Sequence, residues 1–188
     1  QIHTELTTAD LPIDLLEQQT DIAIRMGTLP DSGIHARILG YSPLRLFASP
    51  GYLQRYGTPE HSEQLSVHRT LGFTQPLVHN HWPLFNARQE FMQITPTLRA
   101  SSGETILQLA IAGQGIARLS DFASAAAVNE GKLVPILGQE IQSMLLPVHA
   151  VYYRNTALAV RIRCFLDYLQ QAVTEHGLLL APGYPGKH

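Results

Sequence analysis

The chain of 188 residues has a single cysteine, Cys164, and lacks any long apolar run. One cysteine cannot form a disulfide within the chain or a cysteine cluster for zinc, which favours a reducing, cytoplasmic location. Because Cys164 lies in an apolar helical pattern, we expect a buried structural thiol. No apolar run approaches the roughly 18 residues that a membrane helix needs, and no signal peptide is visible. The composition therefore predicts no membrane partner.

A surplus of basic residues is also absent. Lys and Arg together number 13, Asp and Glu number 15, and the formal net charge is −2. Domains that bind DNA normally carry a positive surplus that pairs with phosphates. We therefore expect that this chain does not itself bind DNA.

The motifs of common enzyme classes are missing as well. The sequence contains no G-x-S-x-G turn and no phosphate-binding loop, so we predict no catalytic residues and no cofactor. His79 and His81 would share a face of a strand and could chelate a metal. A third ligand is not evident, so we predict no metal site.

Strand and helix patterns alternate along the chain. The apolar run at 21–27 predicts a parallel strand that is buried on both faces and ends in a turn. The segment 76–90 is expected to be a loop. Alternating strands and helices predict an α/β protein with an open sheet. The other predicted strands are 1–7, 34–40, 43–48, 71–74, 91–94, 98–100, 116–119, 133–137 and 147–153, and the predicted helices are 11–18, 50–56, 103–112, 121–129 and 156–173.

The first residues alternate polar and apolar side chains. Ile2, Thr4 and Leu6 would share one face of a strand, as in the middle of a continuing fold. We therefore expect the chain to be a fragment of a longer protein.

Seven short segments follow one another in a fixed order: 21–27, 29–32, 48–53, 57–59, 112–117, 131–137 and 163–169. As an ordered set, they resemble the effector-binding domain of LysR-type transcriptional regulators. The resemblance implies an α/β, two-lobed type II periplasmic-binding-protein-like fold with two crossing strands. Lobe I would comprise 1–47 plus 150–180, incomplete at its N-terminus because the family's first strand and helix would precede Gln1. Lobe II would be 48–149, and 181–188 a flexible tail.

The resemblance also places the two crossings between the lobes. His149, in the second of them, is either a hydrogen-bonded buried histidine or a pH-sensitive hinge contact. The predicted hinge residues are Phe47, Ala48, Ser49, Val148, His149 and Ala150.

A ligand site is expected beyond the carboxyl ends of the strands, in the cleft between the lobes. Helix N-termini and nearby hydroxyls there would suit an anion such as a carboxylate. The predicted ligand-binding residues are Thr7, Thr8, Phe73, Thr74, Ser102, Thr105 and Ser120.

Several nearby residues have two interpretations. Ser101, three residues before Glu104, fits a helix N-cap better than a ligand contact. Trp82 is either a packed aromatic or part of the cleft lining. Arg25 is either a structural ion-pair partner or an anion contact.

The predicted function is therefore that of a sensor. A small-molecule effector, for example a carboxylate, would bind in the cleft and change how the regulator holds DNA. The resemblance implies that DNA is bound by an N-terminal domain outside this chain and that the protein is a homodimer or homotetramer. A periplasmic solute-binding protein of the same fold is the alternative.

Overall fold

A computed structural model of the protein describes residues 5, 7, 21–29, 35–152 and 159–183. The predicted helix at 11–18, most of the predicted strand at 1–7 and most of the turn at 29–32 lie outside these residues. The strands are β1 (Ala23–Met26), β2 (His35–Ala48), β3 (Thr70–Phe73), β4 (His81–Phe85), β5 (Phe91–Gln93), β6 (Leu98–Ala100), β7 (Ile116–Ser120), β8 (Val134–Ile136) and β9 (Leu145–Tyr152), and the helices are α1 (Pro50–Tyr56), α2 (Gly103–Ile111), α3 (Asp121–Asn129) and α4 (Ala159–Glu175).

Seven of these strands form one sheet, in the order β1-β9-β2-β7-β3-β6, with β8 also pairing with β2. β3 runs parallel to both β6 and β7, whereas the remaining pairs of the sheet are antiparallel. β4 and β5 form a separate antiparallel ribbon. The mixed sheet with helices between its strands is the α/β architecture predicted from the sequence.

β2 connects two regions of the sheet. Its segment 35–43 pairs with β9, and its segment 44–48 pairs with β7 and β8. The two strands predicted at 34–40 and 43–48 are therefore one strand. Pairing with β9 continues past an irregularity between Ile38 and Gly40.

β1 differs from the parallel, doubly buried strand that its sequence predicted. It pairs antiparallel with β9, and Ile24 and Met26 are 48% and 47% exposed. Within the described residues β1 is the edge strand of the sheet, and the exposure of Ile24 and Met26 shows that the face they share is not fully covered.

One hydrophobic cluster joins α4 to β2 and β9. Leu39, Val148 and Ala150 of the strands pack against Ile162 and Leu166 of the helix. The spacing of the two helical residues is the i, i+4 repeat of an amphipathic helix. The prediction that Cys164 is buried is wrong: it lies between these positions on the outer face and is exposed.

Two further clusters lie on opposite faces of the β2–β7–β3 region. Side chains alternate along the strands, so Leu46 and Ile116 join one cluster, whereas Phe47 and Ala117 join the other. Trp82 and Leu84 of β4 cover the first face. The second face is covered by α2 and α3. The segment 76–90, expected to be a loop, thus contains a strand whose residues enter the core, and Trp82 is a packed aromatic that is 1% exposed.

Candidate functional site

The carboxyl ends of β3, β6 and β7 lie along one edge of the sheet. Phe73 is aligned with Ala100, and Leu71 with Ala117, which places Phe73 level with Leu119. Ligands of open α/β sheets bind beyond this edge. We refer to the ends of these three strands and the residues that follow them as the strand-end site.

A buried asparagine shapes one wall of the strand-end site. The Asn80 side chain is 2% exposed; its Oδ1 accepts from the Phe73 backbone N–H at 2.8 Å, and its Nδ2 donates to the Phe73 carbonyl at 2.9 Å. The two bonds mimic the pairing of a neighbouring strand and fold residues 74–79 back over the end of β3. The Phe73 ring meets the His79 ring edge to face, with their centroids 5.0 Å apart.

The N-terminus of α2 forms a second wall. The helix begins at Gly103, and Ser102 rather than the predicted Ser101 is its N-cap residue. Ser102 is buried, Thr105 is exposed, and the Phe73 ring approaches the position of a Cβ on Gly103 to 3.9 Å. The Thr74 backbone N–H donates to the Ala100 carbonyl at 3.0 Å. These contacts bring Phe73 and Thr74 next to residues 100–103, which lead into α2.

Ser120 lies at the same edge but already has a structural partner. It is 5% exposed, and its hydroxyl accepts from the Ala123 backbone N–H at 3.2 Å as the N-cap of α3. Such a bond satisfies one of the free N–H groups of the first helical turn. Ser120 therefore offers less hydrogen-bonding capacity to a ligand than Thr74 or Thr105.

Of the two N-terminal threonines, Thr7 is exposed and Thr8 lies outside the described residues.

The predicted hinge residues lie within paired strands or at a helix start. Phe47 and Ala48 pair with β8 and are buried, and Ser49 caps α1 through a 3.2 Å bond from the Tyr52 N–H. The segment 148–150 pairs with both β1 and β2. β2 changes partner between Pro43 and Leu44, earlier in the chain than the predicted first crossing.

Two residues with open interpretations, Arg25 and His149, are neighbours across β1 and β9. His149 is half-buried, and its Nδ1 is enclosed without a hydrogen-bond partner in the structure as described. Within the described residues, His149 therefore makes no hydrogen bond through Nδ1.

The sequence interpretation missed Arg118, which lies in β7, one of the strands that end at this edge. It lies in β7 between buried apolar residues, and its Nη1 donates to the His81 carbonyl at 2.8 Å. Burial lowers the pKa of Arg118 to about 10, so the guanidinium remains charged at neutral pH. Burial, and secondarily the charge of Arg118, lower the pKa of His79. A lone arginine in an apolar strand is the sequence signal that could have identified this position.

A separate open cavity of about 300 Å³ lies at the other end of α2. Arg55 and Lys132 contribute positive charge there, and Gly113 lies beside the Ser49 hydroxyl. The cavity is next to the C-terminus of α2 and therefore does not belong to the strand-end site.

The lowered histidine pKa values predict a pH dependence of stability. Burial lowers the pKa of His68 and of His79 in the folded protein, whereas the unfolded histidines titrate near 6.5. Just below this pH the unfolded chain binds more protons, so the free energy of unfolding should fall as the pH is lowered through about 6.5. Melting temperatures measured from pH 7.5 down to about 5.5 should decrease. The variant with both His68→Gln and His79→Gln should show a flatter profile, and an unchanged profile would contradict the assignment.

The comparisons with known proteins agree with this architecture. A sequence model described as the LysR substrate binding domain matches residues 1–174, and the chain belongs to this family. It is 43% identical over 168 residues to the HTH-type transcriptional regulator CrgA of Neisseria meningitidis serogroup C. The aligned segment covers 89% of this chain and 56% of that protein. The chain thus spans about half the length of the curated relatives that it matches.

Solved structures give the same result. The regulatory domain of CrgA from Neisseria meningitidis aligns with a TM-score of 0.76 at 43% identity, covering 84% of this chain and 77% of that one. The full-length Vibrio cholerae virulence activator AphB aligns with a TM-score of 0.69 at 26% identity, covering 91% and 58%. The predicted two-lobed type II periplasmic-binding-protein-like fold is confirmed. Among the described residues, no helix has the length and apolar character needed to cross a membrane.

Proposed function

We propose that this chain is the effector-sensing part of a cytoplasmic, DNA-binding transcriptional regulator and that it is not an enzyme. The observation that carries the proposal is the 43% identity between this chain and an HTH-type transcriptional regulator, which extends over 89% of this chain. The part of that relative not covered by this chain leaves room for a separate DNA-binding domain. The periplasmic solute-binding alternative is not favoured, because the curated relatives of this chain are transcriptional regulators.

The proposed effector is a small metabolite that binds at the strand-end site, between lobe I (1–47 plus 150–180) and lobe II (48–149). Phe73, Thr74 and Thr105 have exposed or half-exposed side chains there, and Ser102 occupies the N-cap position of the adjoining helix. Thr7, Thr8 and Ser120 remain proposed contributors from the predicted set. The crossings through β2 and β9 would act as the hinge.

A ligand can bias DNA binding only if it binds one arrangement of the lobes more tightly than the other. In a homodimer or homotetramer, closure of each cleft would change the spacing of the DNA-binding domains. DNA itself would be bound by the domain that precedes this one, consistent with the absence of a basic surplus here.

Substitution of Thr74 tests the proposed site. In the full-length regulator, Thr74→Ala should reduce the effector response by about tenfold or more, since a hydrogen bond to a charged group contributes about 1.5–3 kcal/mol. Binding to operator DNA without effector should be unchanged, as measured by fluorescence anisotropy. Thr7→Ala is expected to behave likewise, and the exposed Thr95→Ala is the control. Normal effector responses from Thr74→Ala and Thr7→Ala would show that the site assignment is wrong.

The reading frame upstream of Gln1 tests the regulator assignment. A helix-turn-helix domain followed by a strand–helix unit is expected. A secretory signal peptide followed by a strand–helix unit would instead support the solute-binding alternative.

A further inference from the structure

The segment 178–180, which follows α4, lies against β2 close to the point where β2 changes partner. Leu180 forms an antiparallel bridge with Tyr41. The Tyr41 N–H donates to the Leu180 carbonyl at 2.9 Å, and the Leu180 N–H donates to the Tyr41 carbonyl at 2.8 Å. We refer to residues 178–180 as the C-terminal strap.

The middle residue of the C-terminal strap is anchored in the core. Leu179 is 5% exposed and belongs to the hydrophobic cluster formed by β2, β9 and α4. Gly40 leaves the space that the strap occupies, because a Cβ on Gly40 would lie 2.5 Å from the Leu180 carbonyl oxygen and 2.8 Å from the Leu179 Cβ. The strap can therefore approach β2 this closely only because residue 40 is a glycine.

The C-terminal strap continues directly from the end of α4. The helix ends at Glu175, and Gly177 has a φ of +64°. The Gly177 N–H donates to the Thr174 carbonyl at 3.0 Å, and the Leu178 N–H donates to the Val173 carbonyl at 2.9 Å. These two bonds form the Schellman motif, which commonly ends a helix at a glycine. The direction of the strap is therefore fixed by α4.

The C-terminal strap and β7 bind the same edge of β2. Backbone groups alternate between the two edges of a strand. The Leu44 N–H donates to the Met144 carbonyl, on the β9 side, so Tyr41 and Arg45 direct their N–H and carbonyl groups to the opposite edge. Arg45 pairs there with β7, whereas Tyr41 pairs with the strap. Pro43, midway between them, has no N–H to donate on this edge.

The strap and β7 thus hold β2 from the two sides of the proposed hinge. The strap follows α4 in lobe I, and β7 lies in lobe II. Only Ser42 and Pro43 separate Tyr41, which the strap holds, from Leu44, the first residue that pairs with β7. Hinges are formed by a few residues that absorb the change in backbone angles. The strap confines such a change to these two residues on this edge of β2.

We propose that the C-terminal strap sets the position of the hinge by tying β2 to α4 as far as Tyr41, so that the lobes move about Ser42 and Pro43. The proposal rests on the proposed function, because it concerns the lobe movement that an effector would bias. The LysR substrate binding domain model matches residues 1–174, so the strap lies beyond the matched segment. Without the strap, the lobes sample a wider range of arrangements.

Double electron–electron resonance between two spin labels measures the arrangement of the lobes without ligand or DNA. One label is attached to Cys164, which is exposed on α4, and the other to the cysteine introduced by Val67→Cys in lobe II, where the side chain is 85% exposed. A second pair, Cys164 with Ile24→Cys, lies within lobe I and reports movement of α4 itself. Hydrogen exchange of the Tyr41 amide shows whether the strap is attached.

Two variants detach the strap by different means. Gly40→Ala places a Cβ against the Leu180 carbonyl, and truncation after Gly177 removes the strap. In both, exchange of the Tyr41 amide should become about tenfold faster or more, because its hydrogen bond is lost. The distance distribution between the lobes should broaden, whereas the distribution within lobe I should stay unchanged.

Matched controls retain the strap. Gly183→Ala adds a Cβ that meets nothing within 4 Å, and truncation after Gly183 leaves residues 178–180 in place. Neither control should change the exchange of the Tyr41 amide or the two distance distributions.

An unchanged distribution between the lobes in a variant whose Tyr41 amide exchanges rapidly would overturn the proposal. Equal broadening of both distributions, or failure of both variants to fold, would make the segment a general part of the core and overturn it too. Rapid exchange of Tyr41 in the wild type, or continued protection in both variants, would show that the strap does not hold β2. None of these results bears on the sensor function, against which a secretory signal peptide upstream of Gln1 would count.

Discussion

Trp82→Ala is expected to destabilise the protein by about 3–5 kcal/mol, the range measured for buried aromatic truncations. Trp82 is 1% exposed and packs with Leu46, Leu84 and Ile116 in the cluster between β4 and the sheet. Its loss leaves a cavity that the surrounding strands can fill only in part. Such a loss is a large fraction of the roughly 5–15 kcal/mol that stabilises a typical domain. Urea unfolding followed by circular dichroism measures it.

Phe85→Ala is the matched control for this prediction. Phe85 lies in the same strand, is 39% exposed and contacts Phe91 across the ribbon with ring centroids 5.6 Å apart. We expect its truncation to cost clearly less than that of Trp82. If Trp82→Ala instead left stability intact and weakened ligand binding, Trp82 would line the cleft and the core assignment would be wrong.

Asn80→Ala is expected to cost about 2–4 kcal/mol, because it removes two hydrogen bonds and leaves the Phe73 N–H and carbonyl without partners. The same substitution should release residues 74–79 from the end of β3. Ligand affinity should therefore fall together with stability. Unfolding by urea tests the first effect, and titration with benzoate, a probe for the expected class of small carboxylate effectors, tests the second.

Asn129→Ala provides the comparison. Asn129 is exposed at the end of α3, so its replacement should change stability by no more than about 0.5 kcal/mol. Equal effects of the two asparagine substitutions would contradict the structural role of Asn80.

Local sequence signals predicted much of the fold. The ends of β3, β6 and β7 are marked by hydroxyl-bearing residues and helix starts, so Phe73, Thr74 and Ser102 could be assigned to one edge. Ser120 and Gly131 bound α3 as their capping preferences indicate. These features depend on residues close together in sequence.

The features that sequence failed to predict depend on distant contacts. β2 continues past Gly40 because β9 supplies hydrogen bonds along its length. Cys164 is exposed because α4 presents Ile162 and Leu166 to the sheet. The Asn80 amide meets the Phe73 backbone only when the segment between them folds back over the end of β3. Arg118 meets the His81 carbonyl only when β4 and β7 are assembled, and no spacing along the chain encodes that proximity.

The most direct test of the strand-end site as the binding site is a ¹H–¹⁵N correlation spectrum of the protein recorded during titration with benzoate. The account predicts that the largest shifts occur in the amides of residues 73–80, 100–105 and 117–120, and that those of α4 change little. Shifts concentrated around Arg55, Gly113 and Lys132 would place the ligand in the cavity at the other end of α2 and contradict the account, as would the absence of any shift.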